Sequence, residues 1–320
     1  MKRKKIKVYW NRVLLAVFAL IVLIWLIALI ISNAINKPDD KKPSGNNNPS
    51  SQTDNTTNAN YDYVSYESSK INEGQLILVN KSYAYSIPYP TGDKLVNAVD
   101  FREKLTERNF TVKDNTVNVA ADIMNDFNSM MTDFAKEKSI KTIILTSGLR
   151  TKEYQQKLYD EDLKQNSSAV STLVALPGYS EHHTGYAIDF SNNDEYKANS
   201  EWFIENSYRF GFIQRYREDK KDITGIENEP WHFRYVGQPH AYLIKQNDYC
   251  LEEYIDYLKQ YPFTKEHLII KNFDDVSYEI YYVPATEETT KVPVPKNNDK
   301  YTVSGNNVDG FIVTVQLPNN

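Results

Sequence analysis

Cysteine is almost absent from this chain of 320 residues. Cys250 is the single cysteine, which excludes an intrachain disulfide and gives no sign of a thiol mechanism. The sequence also has no phosphate-binding loop and no basic pocket, so a nucleotide or lipid enzyme has no support. The net charge is −5, and leaving out the six positive charges of residues 2–12 takes it to −11 for the remainder. This balance argues against nucleic acid as a partner.

One long uncharged run lies near the N-terminus. Residues 13–31 form nineteen consecutive positions without a charge, and a helix of that length measures about 28 Å, close to the hydrocarbon thickness of a bilayer. The run is too long for a signal-peptide core, residues 30–33 offer a poor cleavage site, and no cysteine follows closely for a lipid anchor. Because the basic residues precede it, we predict a cytoplasmic basic tail (1–12), a single-pass signal-anchor helix in the cell membrane (13–32), and an extracytoplasmic remainder.

Apolar residues are few in the next segment. Residues 33–74 are rich in Asn, Ser, Asp, Thr, Lys and Pro. Such a segment cannot bury enough surface to offset the entropy of ordering, so we predict a disordered stalk.

Histidine is scarce as well, but three of the five histidines fall in two short stretches. The first, Ser180 to Asp189, reads SEHHTGYAID, and the second, Glu229 to His232, reads EPWH. His182, Asp189 and His232 provide two imidazoles and a carboxylate, a zinc-binding set that leaves a fourth position open for water. Glu229, close to the last ligand, is the candidate general base.

Other acids and histidines are weaker candidates. Glu181 is a second candidate base, but its adjacency to His182 directs it away from the metal. His183 also follows a ligand, so on an extended segment it points to the opposite face, as a supporting or surface residue. His240 and His267 have no carboxylate or histidine at suggestive spacing, and we interpret both as non-ligands.

Glu229 can act as the base only if its side chain points toward the metal. An extended Glu-x-x-His segment places its two ends on opposite faces of an ideal strand. A bend near Pro230 must therefore aim Glu229 toward the metal-bound water.

Arg150 is the candidate for recognising negative charge. It follows a predicted buried strand (142–146) and precedes a predicted helix (151–165), which places it at a strand-to-helix turn, a usual site for ligand contacts. Its planar charged fork suits a carboxylate or a developing oxyanion.

Together these segments resemble the zinc D-alanyl-D-alanine carboxypeptidases of the VanY type, relatives of VanX and of LD-carboxypeptidases. The shared motifs are S-x-H-x-x-G-x-A-x-D at 180–189, E-x-W-H at 229–232, and S-G-x-R-x-x-x-x-Q at 147–155, in the family's order over a core of 120–237. The resemblance implies one zinc per chain at the three ligands above. It also implies that Gln155 and Ser180 contact the substrate beside Arg150.

The pattern predicts an α+β fold with a small, largely antiparallel sheet and flanking helices. The resemblance implies the same fold class, of the Hedgehog/DD-peptidase type. We predict a zinc peptidase domain over 75–262 and a β-rich appendage over 263–320, with a turn at 305–307. Strands are expected near 142–146, 186–190, 211–215 and 231–236, with a lead-in strand at 76–83. Helices are expected at 117–137, 151–165, 200–210 and, as a pair, 242–261.

The function implied is removal of the C-terminal D-alanine from peptidoglycan stem peptides by a membrane-anchored enzyme. An LD-carboxypeptidase or a peptidoglycan endopeptidase of the same fold is the alternative. A non-catalytic wall-binding protein is a further one, although such a protein has no need for Glu229.

Overall fold

The computed structural model describes residues 60–166, 171 and 173–318. The predicted tail and membrane anchor, and the predicted stalk up to residue 59, lie outside the described residues. Within the described ranges, no helix combines the length and the apolar character needed to cross a membrane.

Mixed helices and strands make up the first part of the described chain, and strands dominate the last part. The strands are β1 (Tyr61–Glu67), β2 (Leu95–Asn97), β3 (Thr111–Val112), β4 (Asn118–Ala120), β5 (Ile144–Ser147), β6 (Ala187–Phe190), β7 (Phe212–Gln214), β8 (His232–Tyr235), β9 (Leu268–Lys271), β10 (Ser277–Pro284), β11 (Thr289–Pro295), β12 (Tyr301–Gly305) and β13 (Gly310–Gln316). The α-helices are α1 (Ala98–Glu103), α2 (Met124–Lys138), α3 (Lys152–Asn166), α4 (Asp194–Lys197), α5 (Ser200–Asn206), α6 (Lys221–Thr224), α7 (His240–Gln246) and α8 (Leu251–Leu258).

The central sheet has the strand order β3-β5-β6-β8-β7. Strand β3 runs parallel to β5, and the other neighbours are antiparallel, so the sheet is largely antiparallel as predicted. Helix α2 covers one face, because Phe127, Met131 and Phe134 recur at helical spacing and are fully buried. They join Phe190 and Phe233 in one apolar core.

The predicted helix at 117–137 starts too early. Residues 118–120 form β4, which pairs with β2. Val117 and Val119 are both buried, with Asn118 between them less so, and this alternation is typical of a strand. The helix begins only at Met124.

The C-terminal strands form a four-stranded antiparallel sheet in the order β12-β13-β10-β9. One face carries Ile280 and Ile312 and shares an apolar core with the amphipathic helix α8. The opposite face carries Tyr281 and Val313 and packs with side chains of β11, which pairs with β1. The predicted β-rich segment is therefore packed against the helical part of the chain.

Two predictions before residue 84 need correction. The disordered stalk does not extend to residue 74, because β1 pairs along its whole length with β11, and Tyr61 and Tyr66 pack on the C-terminal core. Within the predicted lead-in strand at 76–83, residues 76–79 are buried, but residues 81 and 82 are exposed and lie in a turn. In the described part of the chain this segment forms one β-bridge, between Asn80 and Tyr83, and joins no ladder. The Arg234 guanidinium instead donates to the carbonyls of Gln75 and Ile77.

Candidate metal centre and active site

The candidate metal ligands come from two neighbouring strands and one turn. In the antiparallel pair β6–β8, Asp189 lies directly opposite His232, so strand register alone brings these side chains together. Asp189 Oδ1 lies 2.9 Å from His232 Nδ1, and Asp189 Oδ2 lies 3.2 Å from His182 Nε2. One ligand atom from each residue lies within 4.8 Å of the others. The structure thus gathers the predicted ligand set in one buried cluster.

A glycine-terminated turn directs His182 toward the sheet. Glu181–Thr184 is a 3-10 helix, not the extended segment predicted, and it ends at Gly185 with a φ of 77°. This left-handed conformation favours glycine. A Cβ at Gly185 would also lie 3.2 Å from the backbone nitrogen of Ala120. The chain can therefore turn tightly from His182 into β6.

A backbone contact orients the His182 ring. Nδ1 lies 2.6 Å from the carbonyl oxygen of Gly148, so Nδ1–H donates to this carbonyl and Nε2 keeps its lone pair for the candidate metal site. Glycine is needed at position 148 because the turn packs against β4, where a Cβ would lie only 2.2 Å from the carbonyl oxygen of Asn118. Burial lowers the pKa of His182 to about 4. The imidazole is therefore neutral at pH 7, the form that binds metals.

Arg150 lies beside Asp189 because of strand register. Ser147 at the end of β5 is opposite Asp189, and Arg150 follows in the turn before α3. The Arg150 Nε donates to Ser147 Oγ at 2.9 Å, and Nη2 is paired with Asp189 Oδ2. Arg150 is thus held at the metal-ligand cluster with its guanidinium in the cavity that the cluster faces.

The other predicted substrate contacts, Gln155 and Ser180, line the same cavity of ≈ 360 Å³. Gln155 is 1% exposed and uses both ends of its amide within the protein. Its Nε2 donates to the carbonyl of Ala175 at 2.8 Å, and its Oε1 lies 3.5 Å from Arg150 Nη1. Gln155 is therefore engaged within the protein, where its side chain supports the guanidinium of Arg150.

Glu229 faces the cavity because the chain turns at Pro230. The backbone N–H of His232 donates to the backbone carbonyl of Glu229 at 3.2 Å. This bond closes a four-residue turn with Pro230 at its second position. This is the bend that the sequence required. Glu229 Oε2 lies 3.8 Å from His232 Nδ1. Burial raises the pKa of Glu229 to about 7, although His232 and Arg150 oppose the shift. The carboxyl can therefore take up and release a proton near neutral pH.

The second candidate base, Glu181, lies behind His232. Its Oε1 accepts hydrogen bonds from Arg215 Nε at 2.8 Å and from Arg234 Nη1 at 2.9 Å. Burial acts to raise the pKa of Glu181, but the two guanidinium groups outweigh burial and lower the pKa. A carboxylate held in this way is a poor proton acceptor, which leaves Glu229 as the candidate base.

Tyr216 and two basic residues of the site were not predicted from the sequence, and Trp231 was noted there only as part of the E-x-W-H motif. The Tyr216 ring stacks on His232 at a centroid distance of 4.8 Å, and Tyr216 and Trp231 line the cavity. The arginines are Arg215 and Arg234, both fully buried. One signal was available for Arg234: it lies between Phe233 and Tyr235 in a predicted strand, where a buried charged side chain requires a partner.

His183 supports the loop that carries Arg150. Its Nδ1–H donates to the Arg150 carbonyl at 2.8 Å, and its Nε2 accepts from the Gly178 N–H at 2.9 Å. His183 is completely buried. It is therefore a supporting residue and not a surface one.

The last two histidines belong to the C-terminal part of the fold. His240 is buried between the hydroxyls of Tyr254 and Thr314, at 2.7 and 2.9 Å. His267 Nδ1 lies 2.6 Å from Glu279 Oε1. The spacing in the sequence concealed this acidic partner, because the pairing of β9 with β10 brings it into contact.

The donor set suits zinc. Nε2 of His182, Nδ1 of His232 and the carboxylate of Asp189 are the three atom types that a catalytic zinc site uses, and they face one cavity. The other nitrogen of His182 is engaged by a backbone carbonyl, as is usual for a metal-binding imidazole. These residues therefore fit a zinc ion with one open position.

Comparison with known proteins agrees with this geometry. The family model described as VanY, D-alanyl-D-alanine carboxypeptidase, matches residues 116–238. A D-alanyl-D-alanine carboxypeptidase of Enterococcus faecium is 35% identical over 273 residues, which cover 84% of this chain and 84% of the relative. The bifunctional D-Ala-D-Ala dipeptidase and D-Ala-D-Ala carboxypeptidase VanXYC of Enterococcus gallinarum is 45% identical over 132 residues, 38% of this chain and 70% of that protein.

A solved structure is also similar. The vancomycin resistance D,D-dipeptidase VanXYg, in complex with a D-Ala-D-Ala phosphinate analog, superposes with a TM-score of 0.70 and 34% identity, covering 80% of this chain and 99% of that one. The mixed helix and sheet fold is therefore shared with this enzyme, and the resemblance found in the sequence is confirmed. The chain belongs to the VanY family of D-alanyl-D-alanine carboxypeptidases and is a peptide hydrolase.

Proposed function

We propose that this chain removes the C-terminal D-alanine from peptidoglycan stem peptides with one zinc ion held by His182, Asp189 and His232. The observation that carries the proposal is the buried His–Asp–His cluster at a cavity that also contains Glu229 and Arg150. The similarity to D-alanyl-D-alanine carboxypeptidases over most of the chain supports the substrate class.

Glu229 is the proton-transfer group of the proposed reaction. When bound, zinc supplies a Lewis acid that polarises the scissile carbonyl and lowers the pKa of water. The Glu229 carboxylate accepts a proton from the attacking water as its oxygen bonds to the carbonyl carbon. Glu229 then delivers this proton to the amine nitrogen as the C–N bond breaks, which releases D-alanine and the shortened peptide. A pKa near 7 suits both steps.

Arg150 recognises negative charge in the proposed complex. Its guanidinium is positioned by Ser147 and Gln155 at the wall of the cavity. Two parallel N–H donors match a carboxylate, so Arg150 binds either the free C-terminus or the oxyanion that forms on the carbonyl. Binding of the free C-terminus makes the enzyme a carboxypeptidase and disfavours internal bonds.

The location of the enzyme is part of the proposal. The uncharged run at 13–32 and the basic residues before it support a single-pass anchor with a cytoplasmic N-terminus. The active site then lies outside the membrane, where peptidoglycan stem peptides are found. Fractionation and external protease treatment of cells that make the full chain, compared with a variant lacking residues 1–32, test this arrangement.

Defined stem peptides test the reaction. The full chain is incubated with pentapeptide ending in D-Ala-D-Ala and with the corresponding tetrapeptide, with and without a chelator, and the products are weighed by mass spectrometry. We expect chelator-sensitive loss of one alanine from the pentapeptide. Shortening of the tetrapeptide alone would identify an LD-carboxypeptidase, and internal cleavage would identify an endopeptidase. Binding without any cleavage would leave a wall-binding protein.

A further inference from the structure

Two buried polar atoms face each other behind the candidate metal centre. Glu181 Oε2 and His232 Nε2 are 3.5 Å apart. Within the described part of the chain, both atoms are inaccessible to solvent and neither has another hydrogen-bond partner. Buried donors and acceptors are nearly always satisfied, because an unsatisfied one costs free energy. We therefore expect these two atoms to be hydrogen-bonded to each other.

The charge of Glu181 is already balanced by its surroundings. Its Oε1 binds Arg215 and Arg234, and Arg215 donates its remaining groups to Glu252 at 2.9 and 2.6 Å. Two carboxylates and two guanidinium groups make this cluster neutral. Glu181 thus adds little net negative charge for attracting a cation, and its effect on the metal site must be directional.

The cluster also holds Glu181 in place. The side chains of Glu181, Arg215 and Arg234 are completely buried. Arg234 is further fixed by its bonds to the carbonyls of Gln75 and Ile77. The position of Glu181 Oε2 relative to His232 is therefore set by the fold and not by a mobile side chain.

We propose that Glu181 is a positioning residue for His232: its Oε2 accepts the Nε2–H of the imidazole and so directs the Nδ1 lone pair into the metal site. Nδ1 is the atom that lies 2.9 Å from Asp189 Oδ1. Stacking on Tyr216 fixes the plane of the same ring. The inference rests on the proposed zinc site.

The two histidine ligands are consequently held in different ways. His182 donates Nδ1–H to a neutral backbone carbonyl and offers Nε2. His232 donates Nε2–H to a carboxylate and offers Nδ1. Losing a hydrogen-bond partner that orients a metal-binding imidazole typically weakens metal binding about 10- to 100-fold.

A matched pair of variants tests the role of Glu181. Glu181→Gln keeps an oxygen for the arginines but presents an amide N–H to the Nε2–H of His232. Glu252→Gln damages the same cluster at its far side without touching the histidine. Zn²⁺ affinity is measured on the full chain by competition with a chelator, and thermal unfolding of the metal-free proteins monitors the structural cost.

We expect Glu181→Gln to weaken Zn²⁺ binding about 10- to 100-fold and Glu252→Gln to leave it within threefold of wild type, at similar losses of melting temperature. Equal affinity in Glu181→Gln and wild type would overturn the proposal. Equal weakening in both variants would also overturn it, since the effect would then be general loosening of the cluster. If Glu181→Gln does not fold, Glu181→Asp, which keeps the charge but withdraws the oxygen, replaces it with the same expectation.

A spectroscopic measurement needs no variant. In ¹⁵N-labelled wild-type protein loaded with Zn²⁺, we expect the His232 proton on Nε2 and the metal on Nδ1. A proton on Nδ1 would overturn the proposal even in a protein that releases D-alanine normally. Conversely, Nδ1 ligation in a protein that cleaves no stem peptide would support the positioning role while contradicting the proposed function.

Discussion

The central sheet and the C-terminal sheet bury very different side chains. Around the central sheet, the buried polar residues are mostly ionisable: Glu181, His182, His183, Asp189, Arg215, Glu229, His232 and Arg234. From residue 263 to 318, every buried polar residue is neutral: Asn272, Thr290, Ser304, Asn306, Asn307 and Thr314. Both sheets are nevertheless packed on apolar cores.

This difference separates the residues that act from those that stabilise. Burying a charge is costly unless it is paired, so a concentration of buried charges beside a cavity marks a candidate functional site. In the central sheet, the buried ionisable residues lie in or next to one cavity, which His182, Asp189, Glu229 and His232 line. In the C-terminal sheet, Asn307 donates to the carbonyls of Leu78 and Ala84, which ties strand ends to the rest of the fold. We therefore expect substitutions near the central sheet to affect catalysis and those near the C-terminal sheet to affect stability.

Removal of the metal should give the largest effect. Chelation is expected to abolish release of D-alanine while the far-UV circular dichroism stays unchanged, because the domain has its own apolar core. Peptide release and circular dichroism are measured before chelation, after it, and after Zn²⁺ is restored. Full activity in protein shown to contain no metal would contradict the proposed centre.

Loss of the proposed general base, Glu229, should have the second-largest effect on activity. Glu229→Gln is expected to bind Zn²⁺ almost normally and to lower kcat at least about a hundredfold, the usual scale for a general base. Glu161→Gln is the control, because it changes an acid at the same cavity away from the ligand cluster, and it should alter kcat only a few-fold. Near-normal kcat in Glu229→Gln would assign the proton transfer to another group.

Changing the charge recognition should have a smaller effect. Arg150→Lys keeps the charge but loses the two parallel donors, so kcat/KM is expected to fall about tenfold or more. A substrate with an amidated C-terminus separates the two roles of Arg150. If the carboxylate is the target, wild type loses most of its rate on the amide, while Arg150→Ala hardly distinguishes acid from amide. Equal treatment of both substrates by both enzymes would rule out carboxylate recognition.

The sequence predicted the site better than the network that supports it. The ligand motif and the required bend at Pro230 are local, so spacing reveals them. Glu181, Arg215 and Arg234 are brought together from three separate segments, and only the sheet register shows that they meet. Strand β1 was missed for a similar reason: it follows a long polar segment that resembles a linker, and its order comes from pairing with β11, far away in the sequence.

The smallest effect on catalysis, and a clear one on stability, is expected at His240, which lies in α7 and contacts Thr314 of the C-terminal sheet. Burial lowers the pKa of His240 to about 3, whereas the unfolded chain has the ordinary value of about 6.5. Below pH 6.5 the unfolded state therefore binds a proton that the folded state does not, and stability falls as the pH decreases toward 3. Between pH 7 and pH 5 this histidine should cost about 2 kcal/mol of unfolding free energy.

Urea denaturation at both pH values measures the loss, which should be smaller by that amount in His240→Gln. Thr314→Val is the control: it removes a hydrogen-bond partner of His240 and should lower stability at both pH values without changing the difference. An equal acid sensitivity of wild type and His240→Gln would mean that the acid response arises elsewhere, and the charged cluster of the central sheet would be the next place to look.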